Sequence, residues 1–435
     1  MTTKAKTPWK AVIGGSVGNL VEWYDWFVYA SFATYFAAAF FPHGNPTAQL
    51  LNTAGIFAVG FFMRPVGGWL LGRYADRRGR KAALTLTVSL MSVSALLIAV
   101  APTYDRVGYA GAAVLLLARL LQGLSVGGEY AASATYLTEA STPERRGFVS
   151  SFQYVSMTFG QLLGLGLQIV LQHTMSATAL HSYGWRIPFV LGALGAAVVF
   201  WLRRNLAETE AYTSAEESAE ERGTLRRLLA HRREFVLVMA LTMGGTVAYY
   251  TYTTYLTKYL SNTVGLSRND AALVSFCALT GFMLLQPLAG ALSDRIGRRP
   301  LLITFGVGAT FGTVPLMTTL SHTGSFGGAL LLALLALVIV TGYTSINAVV
   351  KAELFPTRIR ALGVALPYAL ANALFGGTAE YVALWFKDAG AESGYYWYVS
   401  ALAAVSLVVY LTMRETRGTE LTEAGQSAPR AAVAA

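Results

Sequence analysis

Gly72-Arg-Tyr-Ala-Asp76-Arg-Arg-Gly79-Arg80-Lys81 recurs as Gly290-Ala-Leu-Ser-Asp294-Arg-Ile-Gly297-Arg298-Arg299, an offset of 218 residues in a chain of 435. A second pair, Glu139 to Gly147 (EASTPERRG) and Glu353 to Gly363 (ELFPTRIRALG), is displaced by a similar half-chain interval. Each copy sits between long apolar runs. A repeat of this length predicts two halves of common ancestry.

Composition says what the runs are for. The chain is 54% hydrophobic and only 13% charged, about half the charge of an ordinary soluble domain. Its charges cluster between the runs, as expected where runs cross hydrocarbon and charges sit at membrane surfaces. Ending segments at charges, prolines and loop residues gives helices near 11–40, 51–72, 82–101, 112–139, 148–172 and 187–203. Six more fall near 235–261, 269–293, 300–320, 326–353, 361–387 and 394–413. The expected organisation is a six-helix half over 1–203, a cytoplasmic linker over 204–234, a second half over 235–413 and a flexible cytoplasmic tail over 414–435. The basic stretch Met1–Lys10 followed by a long apolar segment reads as a retained first helix rather than a cleaved leader.

Placing the N-terminus inside puts 26 of the 33 Lys and Arg on the cytoplasmic side, five outside, and Arg64 and Arg119 within the membrane. Lys351 and Arg360 are counted among the cytoplasmic cations. This bias predicts both termini in the cytoplasm, and it accounts for the net charge of +10 without any nucleic-acid partner. The single cysteine, Cys277, allows no internal disulfide or thiolate metal site. His43, His173, His181, His231 and His322 fall in expected loops without ligand spacing, and no phosphate-cradling GKS or GKT stretch occurs, so no metal, cofactor or ATP-driven chemistry is expected. Gly123-Leu-Ser125-Val-Gly127 fits a hydrolase pattern but lies inside an apolar helix, where the required strand-to-helix turn cannot form. Its glycines, like Gly160 and Gly164, suit close helix packing.

The doubled GxxxDRxGRR-type loop, with Arg119-Leu-Leu-Gln122-Gly123, resembles the major facilitator superfamily. Gly18-Asn19-Leu-Val-Glu22-Trp-Tyr24-Asp25, Phe62-Met-Arg64-Pro-Val-Gly-Gly-Trp69, Gly127-Gly-Glu129-Tyr130 and Gly184-Trp-Arg186-Ile-Pro188 are similar to its metabolite:proton symporters. Further similarity to that group's carriers of 2-oxoglutarate runs from about residue 9 to 410 and includes Ala348-Val-Val-Lys351-Ala-Glu353 and Ala371-Asn372 through Glu380. The resemblance implies an all-α membrane fold of twelve transmembrane helices in two pseudo-symmetric halves. It also implies that Asp76, Arg80, Asp294 and Arg298 act as a gate latch rather than touching substrate.

Ionisable residues at membrane depth point to function in their own right. Glu22, Asp25 and Tyr29 follow i, i+3, i+7 on the first helix, with Asp25 about midway across at roughly 1.5 Å per residue. A carboxylate there exists neutral or paired, which suits Asp25, with Glu22 and Glu129, to proton coupling; a permanent salt bridge to Arg64 or Arg119 is the alternative. Guanidinium meets a carboxylate in two-point geometry and stays charged, so Arg64 and Arg119 are the natural holders of a dianion. Tyr24, Tyr249, Tyr252, Lys258, Asn347 and Asn372 complete the expected substrate contacts, with Gln161 beside them. Lys258 equally suits snorkelling, and Tyr249, Tyr252 and Tyr255 equally suit aromatic packing or an interfacial belt. Pro367, Gly376 and Gly377 are expected to loosen the eleventh helix.

The expectation is therefore a proton-coupled importer of a small dicarboxylate, 2-oxoglutarate foremost, working as a monomer in the bacterial inner membrane with lipid around it, and not an enzyme. A symporter for another organic acid or a zwitterionic osmolyte such as proline or betaine, a multidrug antiporter and a membrane sensor are the alternatives.

Overall fold

The computed structural model describes residues 9–42, 44–78, 80–139, 141–204, 231–355 and 360–419. The first half comprises α1 (Trp9–Phe40), α2 (Pro46–Arg78), α3 (Arg80–Val100), α4 (Ala110–Glu139), α5 (Phe152–Thr174) and α6 (Ile187–Arg204). In the second half, α7 runs Arg232–Tyr250, a π turn Thr251–Tyr255 and Leu256–Asn262, followed by α8 (Arg268–Ile296) and α9 (Arg298–Ser321). Next, α10 runs Phe326–Thr344 and Asn347–Leu354, and α11 runs Arg360–Ala371, a π turn Asn372–Gly376 and Ala379–Asp388. Finally, α12 spans Glu392–Thr412. Among the described residues, ten spans are long and apolar enough to cross a membrane, and Leu86–Val100 of α3 is a shorter apolar stretch. With α1 they make the twelve helices the sequence predicted. The even number brings α1's start and α12's end to one face, called here the termini end.

Glycine sets the closest helix contacts. On α2 and α4, Gly67 faces the Leu124 backbone, Gly123 the Gly60 carbonyl and Gly127 the Arg64 carbonyl, each so near that a Cβ would overlap the other backbone. The Gly123 and Gly127 pair is thus a packing seam, as its spacing suggested. This seam places Arg64 and Arg119 side by side. Gly160 does the same for α5 against Leu20 and Tyr24 of α1. Between the halves, Gly147 faces Gly290, and Gly377 of α11 faces the Phe61 ring of α2.

Several boundaries differ from expectation for physical reasons. The helices run further into the repeat than expected, α2 past 72 to Arg78 and α8 past 293 to Ile296. The turn between α8 and α9 is made by Gly297, at φ 101°, a left-handed conformation open to glycine. A side chain there would also meet the Glu415 carboxylate. That carboxylate accepts backbone N–H bonds from Arg298, Arg299 and Arg417 at 2.9, 3.0 and 2.9 Å. The start of the expected flexible tail, 414–419, is accordingly tied to the second half. The linker 205–230 and tail 420–435 lie outside the described residues.

Two residues counted among the cytoplasmic cations are buried. Arg360 is 1% exposed and donates from Nε to the Ala352 and Phe355 carbonyls at 3.0 and 3.2 Å. Lys351 is fully buried because α10 resumes after Thr344 and carries it into the protein. His173 ends α5, and His181 lies on the short helix Ala177–Ser182 rather than in open loops.

Candidate functional site

The middle of the first half is built around the Trp26 ring of α1. The Arg64 guanidinium carbon lies 4.2 Å from its centre and the Arg119 carbon 3.8 Å. Arg64 also covers Phe61 at 4.1 Å, and Arg119 covers Tyr29 at 4.6 Å. Such faces hold a cation electrostatically while leaving N–H groups free to bond elsewhere. Arg119 donates to Gln122 Oε1 at 2.5 Å, and Gln122 Nε2 donates to Asp25 Oδ2. A neutral amide therefore connects the cation and the carboxylate. The permanent salt bridge weighed for Asp25 is replaced by this relay.

What remains unpaired is informative. Nε and Nη2 of both Arg64 and Arg119 have no hydrogen-bond partner, nor does Asp25 Oδ1. Both arginines are at most 3% exposed, so water does not substitute freely for those bonds, and leaving them unmade is costly. Across the interface, the Tyr249 and Tyr250 hydroxyls and Asn372 Nδ2 are also without partners. The Tyr250 hydroxyl lies beside both Arg64 and Asn372, and its ring meets Phe61 with centres 5.4 Å apart. Asn372 Oδ1 accepts from Thr246 at 2.6 Å, which turns its amide N–H₂ outward from that contact. A carboxylate, an acceptor throughout, complements this set of donors.

Not every expected contact joins the cluster. Tyr24 donates to the Pro188 carbonyl of α6 at 3.0 Å. Tyr252 neighbours Thr313 of α9, and Tyr255 donates to Glu392 at 3.4 Å. Three-residue steps turn a side chain by about 60° each on an α-helix, and the π turn Thr251–Tyr255 adds rotation, so the tyrosine row diverges. Only Tyr249 of that row faces the middle, and the adjacent Tyr250 was missed. Lys258 neither snorkels nor stands free: at 3% exposure it bonds Glu380 of α11. It borders a cavity of mixed lining away from the termini end, where Ser31, Gln161, Gln168, Thr254 and Arg268 meet Phe27 and Leu165. Glu380 was visible in the sequence as an intramembrane acid without being singled out.

Asn347 lies nearer the termini end and donates to Tyr154 at 2.8 Å. Beside it Tyr130 of α4 and Tyr368 of α11 stack at 3.9 Å and 12°, one ring from each half. Lys351 Nζ rests 3.8 Å from the Tyr368 ring centre. At the termini end, Asp294 accepts from the Gly147 and Phe148 backbone N–H groups at 2.8 and 2.9 Å and from Arg298 at 2.7 Å. Glu353 lies 3.7 Å from Arg146 and 3.6 Å from Arg298. The second repeat copy therefore fastens the two halves together. Glu22 is buried on α1, while the side chains of Asp76, Arg80 and Glu129 lie outside the described part of the structure. At the opposite end the halves meet through exposed contacts, Asn45 to Asp388 at 3.2 Å and Arg268 to His181 at 2.8 Å.

The model of the Major Facilitator Superfamily matches residues 15–379 and 254–434. The chain is 51% identical to the alpha-ketoglutarate permease of Escherichia coli K12, over 94% of this chain and 95% of that one. It is 33% identical to the citrate-proton symporter of Klebsiella pneumoniae over 93% and 92%. The E. coli K12 proline/betaine transporter is 29% identical, over 94% and 83%. The partially occluded, inward-open structure of the E. coli xylose transporter XylE superposes with a TM-score of 0.74 at 21% identity, covering 95% of this chain and 99% of that one, which speaks to the fold. The twelve-helix architecture, the internal repeat and these matches agree: the chain is a membrane transporter rather than an enzyme, and it belongs to the major facilitator superfamily.

Proposed function

We propose that this protein is a proton-coupled symporter that brings a small dicarboxylate, 2-oxoglutarate first among them, into a bacterial cytoplasm across the inner membrane. The observation that carries the reading is the pair of buried arginines whose Nε and Nη2 groups lack acceptors beside the interface of the two halves. A relative at 51% identity named for alpha-ketoglutarate supports the substrate, and one at 33% named a citrate-proton symporter supports the coupling.

Alternating access follows from the contacts. Both termini face the cytoplasm, consistent with the Lys and Arg count. At the outer end, among the described residues, a single buried bond, Gln161 to the Thr253 carbonyl at 2.7 Å, accompanies the exposed Asn45–Asp388 and Arg268–His181 contacts, whereas Asp294, Arg298 and Glu353 form a buried charged network at the termini end, so the outer end opens first. Asp25 accepts the proton, with Glu22 and Glu129 on its route. The dianion then engages Arg64 and Arg119, with Tyr249, Tyr250 and Asn372 closing over it from the second half. Rocking of the halves breaks the Asp294 latch and its counterpart at Asp76 and Arg80, and proton and substrate leave together. Co-transported protons offset a cost of about 2.3 kcal/mol per charge per 100 mV of inside-negative potential. Lys258 with Glu380 keeps the outer vestibule polar. The monomer suffices, because the site lies between two halves of one chain.

Uptake of labelled 2-oxoglutarate by proteoliposomes tests the assignment. Competition by succinate or malate, and none by proline or betaine, is expected; the reverse pattern would move the substrate to the osmolytes.

A further inference from the structure

The substrate reading above gives the buried Lys351 no role. Lys351 is 0% exposed, its Nζ has no hydrogen-bond partner, and among the described residues no carboxylate forms an ion pair with it. Its Nζ lies over the Tyr368 ring, 3.8 Å from the ring centre, and 5.8 Å from that of Tyr130. An ammonium carries three donors, and a ring face satisfies none of them as an acceptor would. Lys258 is buried to a similar degree but has Glu380, so the fold builds a buried pair where charge balance alone is needed. Lys351 stands apart from that arrangement.

Its position is continuous with the arginine cluster. Tyr368 lies in the field of Arg64 as well as beside Lys351. From Arg64 the wall runs through Phe61 and Tyr250 to Tyr249, whose ring meets Tyr154 at 5.4 Å, next to Asn347. Arg64 and Arg119 belong to the first half and Lys351 to the second. We propose that Lys351 holds the distal carboxylate of the dianion, so that one carboxylate is gripped by each half and the substrate itself ties the halves together.

The number of acidic groups supports the division: a dianion offers one carboxylate to Arg64 and Arg119 and a second to Lys351. A monocarboxylate or a zwitterion has no group for Lys351. This inference rests on the dicarboxylate reading and deepens it by naming the residue that selects two carboxylates over one.

The test compares inhibition of labelled 2-oxoglutarate uptake by unlabelled 2-oxoglutarate and by 2-oxovalerate, a five-carbon 2-oxo acid lacking the distal carboxylate. In the wild type the dianion is preferred; in Lys351→Gln its inhibition constant rises about tenfold or more, as when one charged partner is truncated, while that of 2-oxovalerate holds. Lys351→Arg keeps the preference, which separates charge recognition from packing. An unchanged preference in a folded Lys351→Gln, an equal loss for both acids, or loss of preference in Lys351→Arg overturns the assignment of Lys351 alone. A wild type that takes up no dicarboxylate overturns the substrate reading itself.

Discussion

Asp294→Asn tests the latch at the termini end. The carboxylate receives two N–H bonds from the other half, from Gly147 and Phe148, and one from Arg298 on its own half. Bonds to a charged group are worth about 1.5–3 kcal/mol each. Asparagine keeps one carbonyl acceptor, now neutral and roughly half as strong, and turns an N–H₂ group toward the second donor. The loss across the interface is then about 2–4 kcal/mol, roughly a 30- to 700-fold shift of the equilibrium toward the state open at this end. Glu353 still lies between Arg146 and Arg298, so the closed state weakens without vanishing. Spin labels at Glu144→Cys and Arg295→Cys, in a Cys277→Ser background, report the separation of the halves. A new, longer distance population is expected in Asp294→Asn. A distance distribution identical to that of the parent would refute the assignment of Asp294 as the fastener.

Other consequences are sharp enough to measure. Lys258→Met or Glu380→Gln leaves one buried charge without its partner, a loss of about 3–5 kcal/mol; each single variant should melt well below the double variant, and additive losses would contradict the pairing. Gly123→Ala forces a Cβ into the Gly60 carbonyl, an overpacking of about 1–3 kcal/mol that should lower the thermal midpoint and transport together, while Gly324→Ala, which meets open space, should change neither. His181 is held below its ordinary value by partial burial and the neighbouring Arg268 guanidinium. Its outer contact is therefore intact above pH 6.5 and lost as pH falls through the lowered value, because a protonated ring no longer accepts from Arg268. Labels at the outer end should separate on acidification in the wild type and not in His181→Phe.

Much of this molecule was legible because membranes impose few solutions. The doubled loop gave the two halves, the apolar runs gave the helices, and Asp25, Arg64 and Arg119 stood out as charges where charge is costly. The Gly123–Gly127 spacing identified a packing seam. What the sequence hid depends on breaks in regular helix. The π turn of α7 scattered the tyrosines, sending Tyr252 and Tyr255 elsewhere and bringing in Tyr250. The interruption of α10 after Thr344 carried Lys351 inward, although its place at the end of the expected tenth helix, near Arg358 and Arg360, reads as the cytoplasmic surface. The Lys258–Glu380 pair joins residues 122 apart, and a single chain read linearly offers no signal for which acid meets which base.

The central claim is that movement of a proton through Asp25 drives accumulation of the anion. The most direct measurement is labelled 2-oxoglutarate uptake into proteoliposomes with and without an inward proton gradient, for the wild type and Asp25→Asn. Gradient-driven accumulation in the wild type, with Asp25→Asn reduced to exchange of internal for external substrate at equal concentrations, is predicted. Uptake indifferent to the gradient, or an Asp25→Asn variant that still accumulates substrate against its own gradient, would contradict the account.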